Sequence, residues 1–135
     1  MTTQEYLEQY QAARRNVEYW QCRVEEAKAR AEKTTAGIGG MPSAPNPQKL
    51  EQAVDAMQDA KRRLSHAVLV MVSARERVEK TVLLAANDRQ REVLRKRYLT
   101  GLTMPKIAES MGCCLRTVQL IHAAAVKAVD EKRNT

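Results

Sequence analysis

Two cysteines and a histidine lie close together in the last quarter of the 135-residue sequence, and these residue types can bind metal ions. They are Cys113, Cys114 and His122. Structural zinc sites need cysteines about two to four residues apart and a second pair of ligands, and the sequence has no second pair. We therefore predict no metal site and no cofactor. Cys113 is interpreted as a small apolar residue and Cys114 as a helix cap.

Catalytic motifs are missing from the sequence as well. It contains no phosphate-binding glycine loop, no nucleophile elbow and no pair of carboxylates with a plausible pocket. We therefore expect that the protein is not an enzyme.

Arg116 and Gln119 have side chains that suit the recognition of DNA bases. Arginine can donate two hydrogen bonds to guanine, and glutamine can make two hydrogen bonds to adenine. Leu115 and Leu120 could contact the methyl group of thymine. Four nearby residues are candidates for contacts to the DNA backbone: Thr103, Lys106, Thr117 and Lys127.

A helix-turn-helix pattern would position these side chains. Thr103 is predicted to cap a short helix from Met104 to Met111, and a longer helix is predicted from about Leu115 to at least Val129. Two helices that cross steeply need a small residue between them and a permissive turn, and Ala108 and Gly112 have these properties. The residues predicted to determine this fold are Ile107, Ala108, Met111, Gly112, Cys113, Val118 and Ile121.

A third helix is predicted before this pair. It follows the capping residues Asn87 and Asp88, runs from Arg89 to Leu99, and ends at Thr100 and Gly101. Residues 87–135 contain ten basic and five acidic residues and so hold most of the net charge of +7. This excess is typical of a nucleic-acid-binding segment, although a solvated basic helix face would look similar.

The first 86 residues predict two long helices with heptad spacing. Thr2 and Glu5 can form a capping box at the start of the first helix. Its apolar stripe consists of Tyr6, Tyr10, Ala13, Val17, Trp20, Val24, Ala27 and Ala31. A Gly- and Pro-rich loop at residues 36–46 ends this helix, and Asn46 and Pro47 can start the next one.

The second helix carries a stripe with the same alternation of four and three residues. Its members are Leu50, Val54, Met57, Lys61, Leu64, Val68, Met71, Arg75, Val78 and Val82. Lys61 and Arg75 interrupt this stripe, so the packing is imperfect or a partner covers part of it. The short connection favours an antiparallel hairpin, a coiled coil whose partner helix is in the same chain or in a second copy.

These observations predict an all-α protein with a long antiparallel helical hairpin at residues 1–86 and a three-helix helix-turn-helix module at residues 87–135. The low content of Gly and Pro (five and four residues) argues against a sheet architecture. The longest apolar run, from Ala67 to Val72, is too short to span a bilayer. We find no secretory signal and expect a cytoplasmic protein with three free cysteines.

The segment from Asp88 to Gly112, continued from Thr117 to His122, resembles region 4 of sigma-70-type factors. The upstream helices and the run from Ala31 to Thr35 are similar to phage-encoded sigma-like regulators of late or autolysin genes, the ArpU type. Sigma region 4 commonly has Arg at the positions of Leu115 and Thr117. The resemblance therefore implies a DNA target other than a standard −35 element.

This resemblance implies a sequence-specific regulator of phage or prophage genes in the cytoplasm of a bacterial host. Its expected partners are double-stranded promoter DNA and host RNA polymerase, and its N-terminal helices could form a homodimer. Two alternatives remain open. The protein could be an adaptor that docks on RNA polymerase without reading DNA, or a small DNA-packaging (terminase) subunit, in which the DNA-binding module usually comes first.

Overall fold

The structure is a computed structural model that describes residues 1–36 and 47–135, and every regular element in these residues is helical. The predicted all-α class is confirmed. The elements are α1 (Thr3–Ala36), α2 (Pro47–Val82), α3 (Asp88–Leu94) with a π-helical continuation (Arg95–Thr100), α4 (Met104–Met111) and α5 (Leu115–Arg133). Ala36 belongs to α1, whereas the rest of the predicted loop and the Asn46 cap lie outside the described residues. No described helix is long and apolar enough to cross a membrane.

The chain forms two compact units. We call residues 1–13 together with 71–135 the terminal unit, and residues 14–70 the middle unit. The terminal unit therefore contains all of the predicted helix-turn-helix module and also the first turns of α1 and the last turns of α2. The boundary predicted between residues 86 and 87 stays a prediction.

Helix α1 begins with the predicted capping box. The Glu5 backbone N–H donates to Thr2 Oγ1 (3.1 Å), and the Thr2 backbone N–H donates to the Glu5 carboxylate (3.0 Å). Tyr10 is buried as predicted, but Leu7, which the predicted stripe omitted, is completely buried. Tyr6 is only half-buried, and the Arg133 guanidinium lies 4.1 Å from the centre of its ring.

The core of the terminal unit combines residues that are far apart in the sequence. Its buried members come from α1, α2, α3 with its continuation, and α5: Leu7, Tyr10, Ala13, Ala74, Val78, Val82, Ala85, Leu94, Tyr98, Ala125 and Val129. The start of α1 is thus part of the core that supports α5.

The buried face of α2 differs from the predicted stripe. Its buried positions include an alanine at every seventh residue, Ala53, Ala60, Ala67 and Ala74. Each of these alanines comes directly before a predicted stripe residue. The prediction placed Lys61 and Arg75 on the stripe, but both are exposed, and the preceding residues Ala60 and Ala74 are buried instead. The prediction assigned bulky side chains to the buried face. The structure buries small alanines there instead, and small residues let a neighbouring helix approach closely. No charged side chain interrupts the buried face.

Contacts within the terminal unit show that α1 and α2 run antiparallel there, as predicted. The Arg77 Nε–H donates to Gln9 Oε1 (2.9 Å), and the Arg75 guanidinium lies 5.8 Å from the centre of the Tyr10 ring. Residue numbers therefore fall along α1 as they rise along α2 in this unit. In the middle unit the two helices are also in contact, since the Arg63 guanidinium lies 5.2 Å from the centre of the Trp20 ring.

Helix α3 starts where the sequence predicted, since Asn87 Oδ1 accepts a hydrogen bond from the Gln90 N–H (2.9 Å). The helical segment continues to the predicted end at Thr100 and Gly101, but it widens into a π-helix after Leu94, which the sequence did not predict. Gln11 of α1 supports its end by donating to the carbonyls of Tyr98 (3.0 Å) and Leu99 (3.2 Å). This support comes from a distant part of the chain, so the local sequence pattern could not predict it.

Gly101 ends the π-helical segment with a φ of +84°. A side chain here would require a conformation that other residues rarely adopt. A Cβ atom would also lie 3.1 Å from Gln11 Oε1. The glycine therefore allows both the turn and the close approach of Gln11.

Candidate nucleic-acid interface

Helices α4 and α5 are joined by a tight turn at Gly112, whose φ of +66° lies in the left-handed region. The Cys113 N–H donates to the carbonyl of Ala108 (3.1 Å), which satisfies one of the free carbonyls at the end of α4. A Cβ atom at position 112 would meet nothing within 4 Å. The turn thus needs glycine for its backbone conformation and not for space.

A second apolar cluster holds the two helices together. Val93, Ile107, Ala108 and Val118 are buried in it, at 5% exposure or less. The partly buried residues packed against them are Leu102, Met104, Met111, Cys113 and Ile121. All the residues that the sequence assigned to the helix-turn-helix fold lie in this cluster or, in the case of Gly112, at the turn.

The caps of α4 and α5 are unusual, because neither capping side chain bonds to the backbone. Thr103 and Cys114 have the extended backbone expected of N-caps but make no side-chain capping bond. Thr103 is exposed. Its hydroxyl is therefore accessible for the backbone contact that the sequence suggested.

Cys114 interacts with Thr117 instead. The Cys114 Sγ and Thr117 Oγ1 atoms are 3.1 Å apart. Hydrogen bonding to the Thr117 hydroxyl lowers the pKa of the exposed Cys114 thiol. A hydroxyl has one donor and two acceptor positions, so Thr117 can bond to Cys114 and to a further group together.

The predicted base-reading residues lie on the exposed side of α5. Leu115 is 40% exposed and Leu120 is 61% exposed. Arg116 and Gln119 are also exposed, and neither makes a hydrogen bond or ion pair within the described part of the chain. Lys106 of α4 is likewise exposed. In the part of the chain that the structure describes, no carboxylate forms an ion pair with the Arg116 guanidinium.

Lys127 lies about three turns farther along α5. It lines a shallow groove with Ala123 and with the first residues of α1, among them Gln4. Lys127 is exposed. The nearby Thr3 is buried and donates from its hydroxyl to the carboxylate of Asp130 (2.5 Å). The structure therefore ties this end of α5 to the start of α1.

Two arginines that the sequence analysis did not single out are exposed, and one of them, Arg89, flanks this surface. Arg89 lines a groove with Leu120. Arg95 is also exposed, but it lines a different groove, with Glu76 and Glu79 of α2. Neither arginine side chain makes a hydrogen bond or ion pair among the residues that the structure describes. The neighbouring Lys96 and Arg97 are engaged, with Ser110 Oγ (2.8 Å) and the Leu102 carbonyl (3.2 Å). The charges of these four residues alone could not predict which side chains would lack a partner.

His122, on the side of α5 that faces the core, is paired with Tyr98. The Tyr98 hydroxyl and His122 Nε2 are 2.7 Å apart. Burial raises the pKa of Tyr98 to about 12. Burial, with a smaller effect of Arg97, lowers the pKa of His122. Both groups are therefore neutral at neutral pH.

His122 thus has a structural partner of its own. In residues 1–36 and 47–135, no three His, Cys, Asp or Glu side chains are grouped so that they could hold a metal ion. The cysteine pair nearby is engaged differently, since Cys113 packs in the apolar cluster and Cys114 contacts Thr117.

This part of the chain is similar to a known family. Residues 83–130 match the family model for sigma-70, region 4. The match covers 48 of the 135 residues, from the end of α2 to the last turns of α5. It supports a sigma-70 region 4-like helix-turn-helix, a DNA-binding type of domain. No curated protein and no solved structure matches the chain.

Proposed function

We propose that this protein is a transcription regulator that binds promoter DNA through its sigma region 4-like helix-turn-helix. The observation that carries the proposal is the exposed face of α5, where Arg116 and Gln119 have no partners within the described residues. In helix-turn-helix proteins the second helix enters the major groove with its N-terminal residues against the base edges. Arg116 and Gln119 lie in the first two turns of α5.

Each residue in this interface has a defined part. Arg116 donates two hydrogen bonds to a guanine, and Gln119 makes a two-point contact to an adenine. Leu115 and Leu120 contact thymine methyl groups. The backbone contacts come from Thr103, Lys106, Thr117 and Lys127.

Arg89 adds positive charge beside this surface. Contacts to phosphates release counterions and give affinity without sequence preference. Base contacts from Arg116 and Gln119 supply the preference. We therefore assign affinity and specificity to different residues of the same module.

The more specific part of the proposal rests on the resemblance of the sequence to phage-encoded sigma-like regulators. The protein regulates phage or prophage genes, acts with host RNA polymerase in the bacterial cytoplasm, and is an ArpU-type regulator without enzymatic activity. The N-terminal helices have no counterpart in the family match, which begins at residue 83. They supply a function other than reading DNA.

Selection from a random DNA library, followed by sequencing, tests this proposal. The protein is used at near-physiological salt, because basic proteins bind any DNA at low salt. We expect an enriched motif for the wild type and loss of that motif for the Arg116→Ala/Gln119→Ala variant. Lys132→Ala is the matched control, since Lys132 is exposed about 160° around α5 from Arg116.

A second variant separates backbone contacts from base contacts. Lys106→Ala should weaken binding to all sequences alike and reduce the salt dependence by about one counterion. The motif itself should not change. If the wild type enriches no motif yet binds RNA polymerase, the adaptor interpretation replaces the proposed one.

A further inference from the structure

A stripe of large side chains on α2 remains accessible in the middle unit. We call it the outer stripe; it consists of Leu50, Val54, Met57, Lys61, Leu64 and Val68. Val54 is 37% exposed, the other apolar members are half-buried, and Lys61 is exposed. Steps of four and three residues alternate along it, which is the spacing of a helix–helix packing seam.

The middle unit buries little apolar surface of its own. Among its described residues, the buried hydrophobic ones are Val17, Ala31, Ala53, Ala60 and Ala67. Four of these five side chains are single methyl groups. Most helical stability in proteins comes from packing an apolar face. Leu69 and Val70 lie outside the outer stripe, whereas the other five large apolar side chains of α2 in this unit lie on it. A further helix on this stripe would bury them.

The charges along α2 indicate which helix would pack on the outer stripe. Residues 50–59 contain three acidic residues, Glu51, Asp55 and Asp59, and no basic residue. Residues 60–70 contain the three basic residues Lys61, Arg62 and Arg63 and no acidic residue. Two copies of α2 packed antiparallel place each acidic half against the basic half of the other copy, whereas parallel packing places like charges together.

Some of these charged side chains form ion pairs within one chain, and others form none among the described residues. Asp59 pairs with Arg62 (3.8 Å) and with Arg63 (3.1 Å) of the same helix. Glu51, Asp55 and Lys61 make no ion pair or hydrogen bond in the part of the chain that the structure describes. They remain available to a second copy.

The spacing of the outer stripe fits the same arrangement. If the twofold axis passes near residue 59, Leu50 faces Val68 of the second copy and Val54 faces Leu64 of the second copy. Met57 then faces Lys61 of the second copy, whose aliphatic stem can pack while its ammonium group reaches solvent. All six positions of the stripe have a partner.

We propose that the outer stripe is a homodimer interface in which α2 packs antiparallel against α2 of a second copy of this chain. The resulting dimer carries two helix-turn-helix modules. This inference does not depend on the proposed reading of DNA, because the interface lies in the middle unit and forms without DNA.

Sedimentation equilibrium of the full chain without DNA tests the proposal. We expect the wild type to approach twice the monomer mass of 15.2 kDa as its concentration rises. Lys61→Leu replaces the charge in the seam by an apolar side chain, twice per dimer, and should lower the dissociation constant about tenfold or more. Val54→Asp should give a monomer. Leu69→Asp is the control, since Leu69 is 68% exposed and lies outside the stripe.

Every outcome of these measurements either supports or contradicts the proposed dimer. Lys61→Leu introduces no polar group, so its effect does not depend on a variant that fails to fold, and circular dichroism confirms the helix content of Val54→Asp. A wild type and a Lys61→Leu variant that both stay monomeric at about 100 μM would overturn the proposal and leave the stripe for a different partner. A dimer that persists in Val54→Asp would place the interface elsewhere and also overturn it.

The antiparallel direction has its own test. Glu51→Lys/Asp55→Lys makes residues 50–59 basic, so an antiparallel dimer brings like charges together and should weaken about tenfold at low salt, with a smaller effect at high salt. A parallel dimer would not weaken, because the net charge of residues 50–59 changes from −3 to +1 and most of the repulsion between its acidic halves is lost. Unchanged dimerisation of this variant would therefore contradict the antiparallel pairing.

Discussion

Gln11 makes a contact whose loss should be measurable as a loss of stability. Its side-chain amide donates to the carbonyls of Tyr98 (3.0 Å) and Leu99 (3.2 Å), at the end of the π-helical segment. The last carbonyl groups of a helix have no partners within the helix. Gln11→Ala removes both hydrogen bonds and leaves these partly buried groups to water.

The expected magnitude follows from the number of bonds. A hydrogen bond contributes about 1 kcal/mol net, so we expect Gln11→Ala to lower the free energy of unfolding by about 2 kcal/mol. For a chain of this size the melting temperature should fall by roughly 6 to 10 °C. Urea unfolding followed by circular dichroism, together with a thermal melt, measures both quantities.

Two further variants show whether the donated hydrogen bonds are the cause. Gln11→Glu keeps the size of the side chain but has no N–H to donate, so it should destabilise at least as much as Gln11→Ala. Gln21→Ala changes an exposed glutamine of the same helix and should alter stability by less than about 0.5 kcal/mol. If Gln11→Ala resembles Gln21→Ala, or if Gln11→Glu is as stable as the wild type, the two carbonyls do not depend on Gln11.

Two other predictions concern the turn and the buried histidine. Gly112→Ala should destabilise by about 1 kcal/mol in urea unfolding, and Gly112→Asn by less, because the penalty arises from the left-handed backbone and not from crowding; equal losses would contradict this origin. The pKa of His122 is lowered in the folded protein, so the unfolded chain binds more protons and stability should fall as the pH drops below about 6.5 through the lowered pKa. His122→Gln should reduce this loss between pH 7.5 and 5, and an unchanged pH profile would contradict it.

Local signals in the sequence were sufficient for much of the fold. Pro105 near the start of α4 and Gly112 at its end predict the bounds that the structure has. The capping box at Thr2 and the cap at Asn87 were also correct. Such signals act over three or four residues, so they can be read without knowledge of the tertiary structure.

Other features depend on contacts between distant residues. The buried alanines of α2 are small side chains whose importance appears only when another helix lies against them. Gln11 and Tyr98 are 87 positions apart, so no local pattern connects them. In the candidate site, helical periodicity predicted that Arg116 and Gln119 share an exposed face, and their contacts to bases stay a prediction.

The core that joins Leu7 and Tyr10 to Leu94, Tyr98 and Val129 affects how the chain folds during its synthesis. A ribosome adds about 5 to 20 residues per second, so the 87 positions between Gln11 and Tyr98 take roughly 4 to 17 s to make. Throughout this time Leu7 and Tyr10 lack Tyr98, and the α5 members of the core, Ala125 and Val129, are made later still. The terminal unit can therefore close only after α5 has left the ribosome. A chain released early, before α5 is complete, lacks Ala125 and Val129 and cannot complete this core.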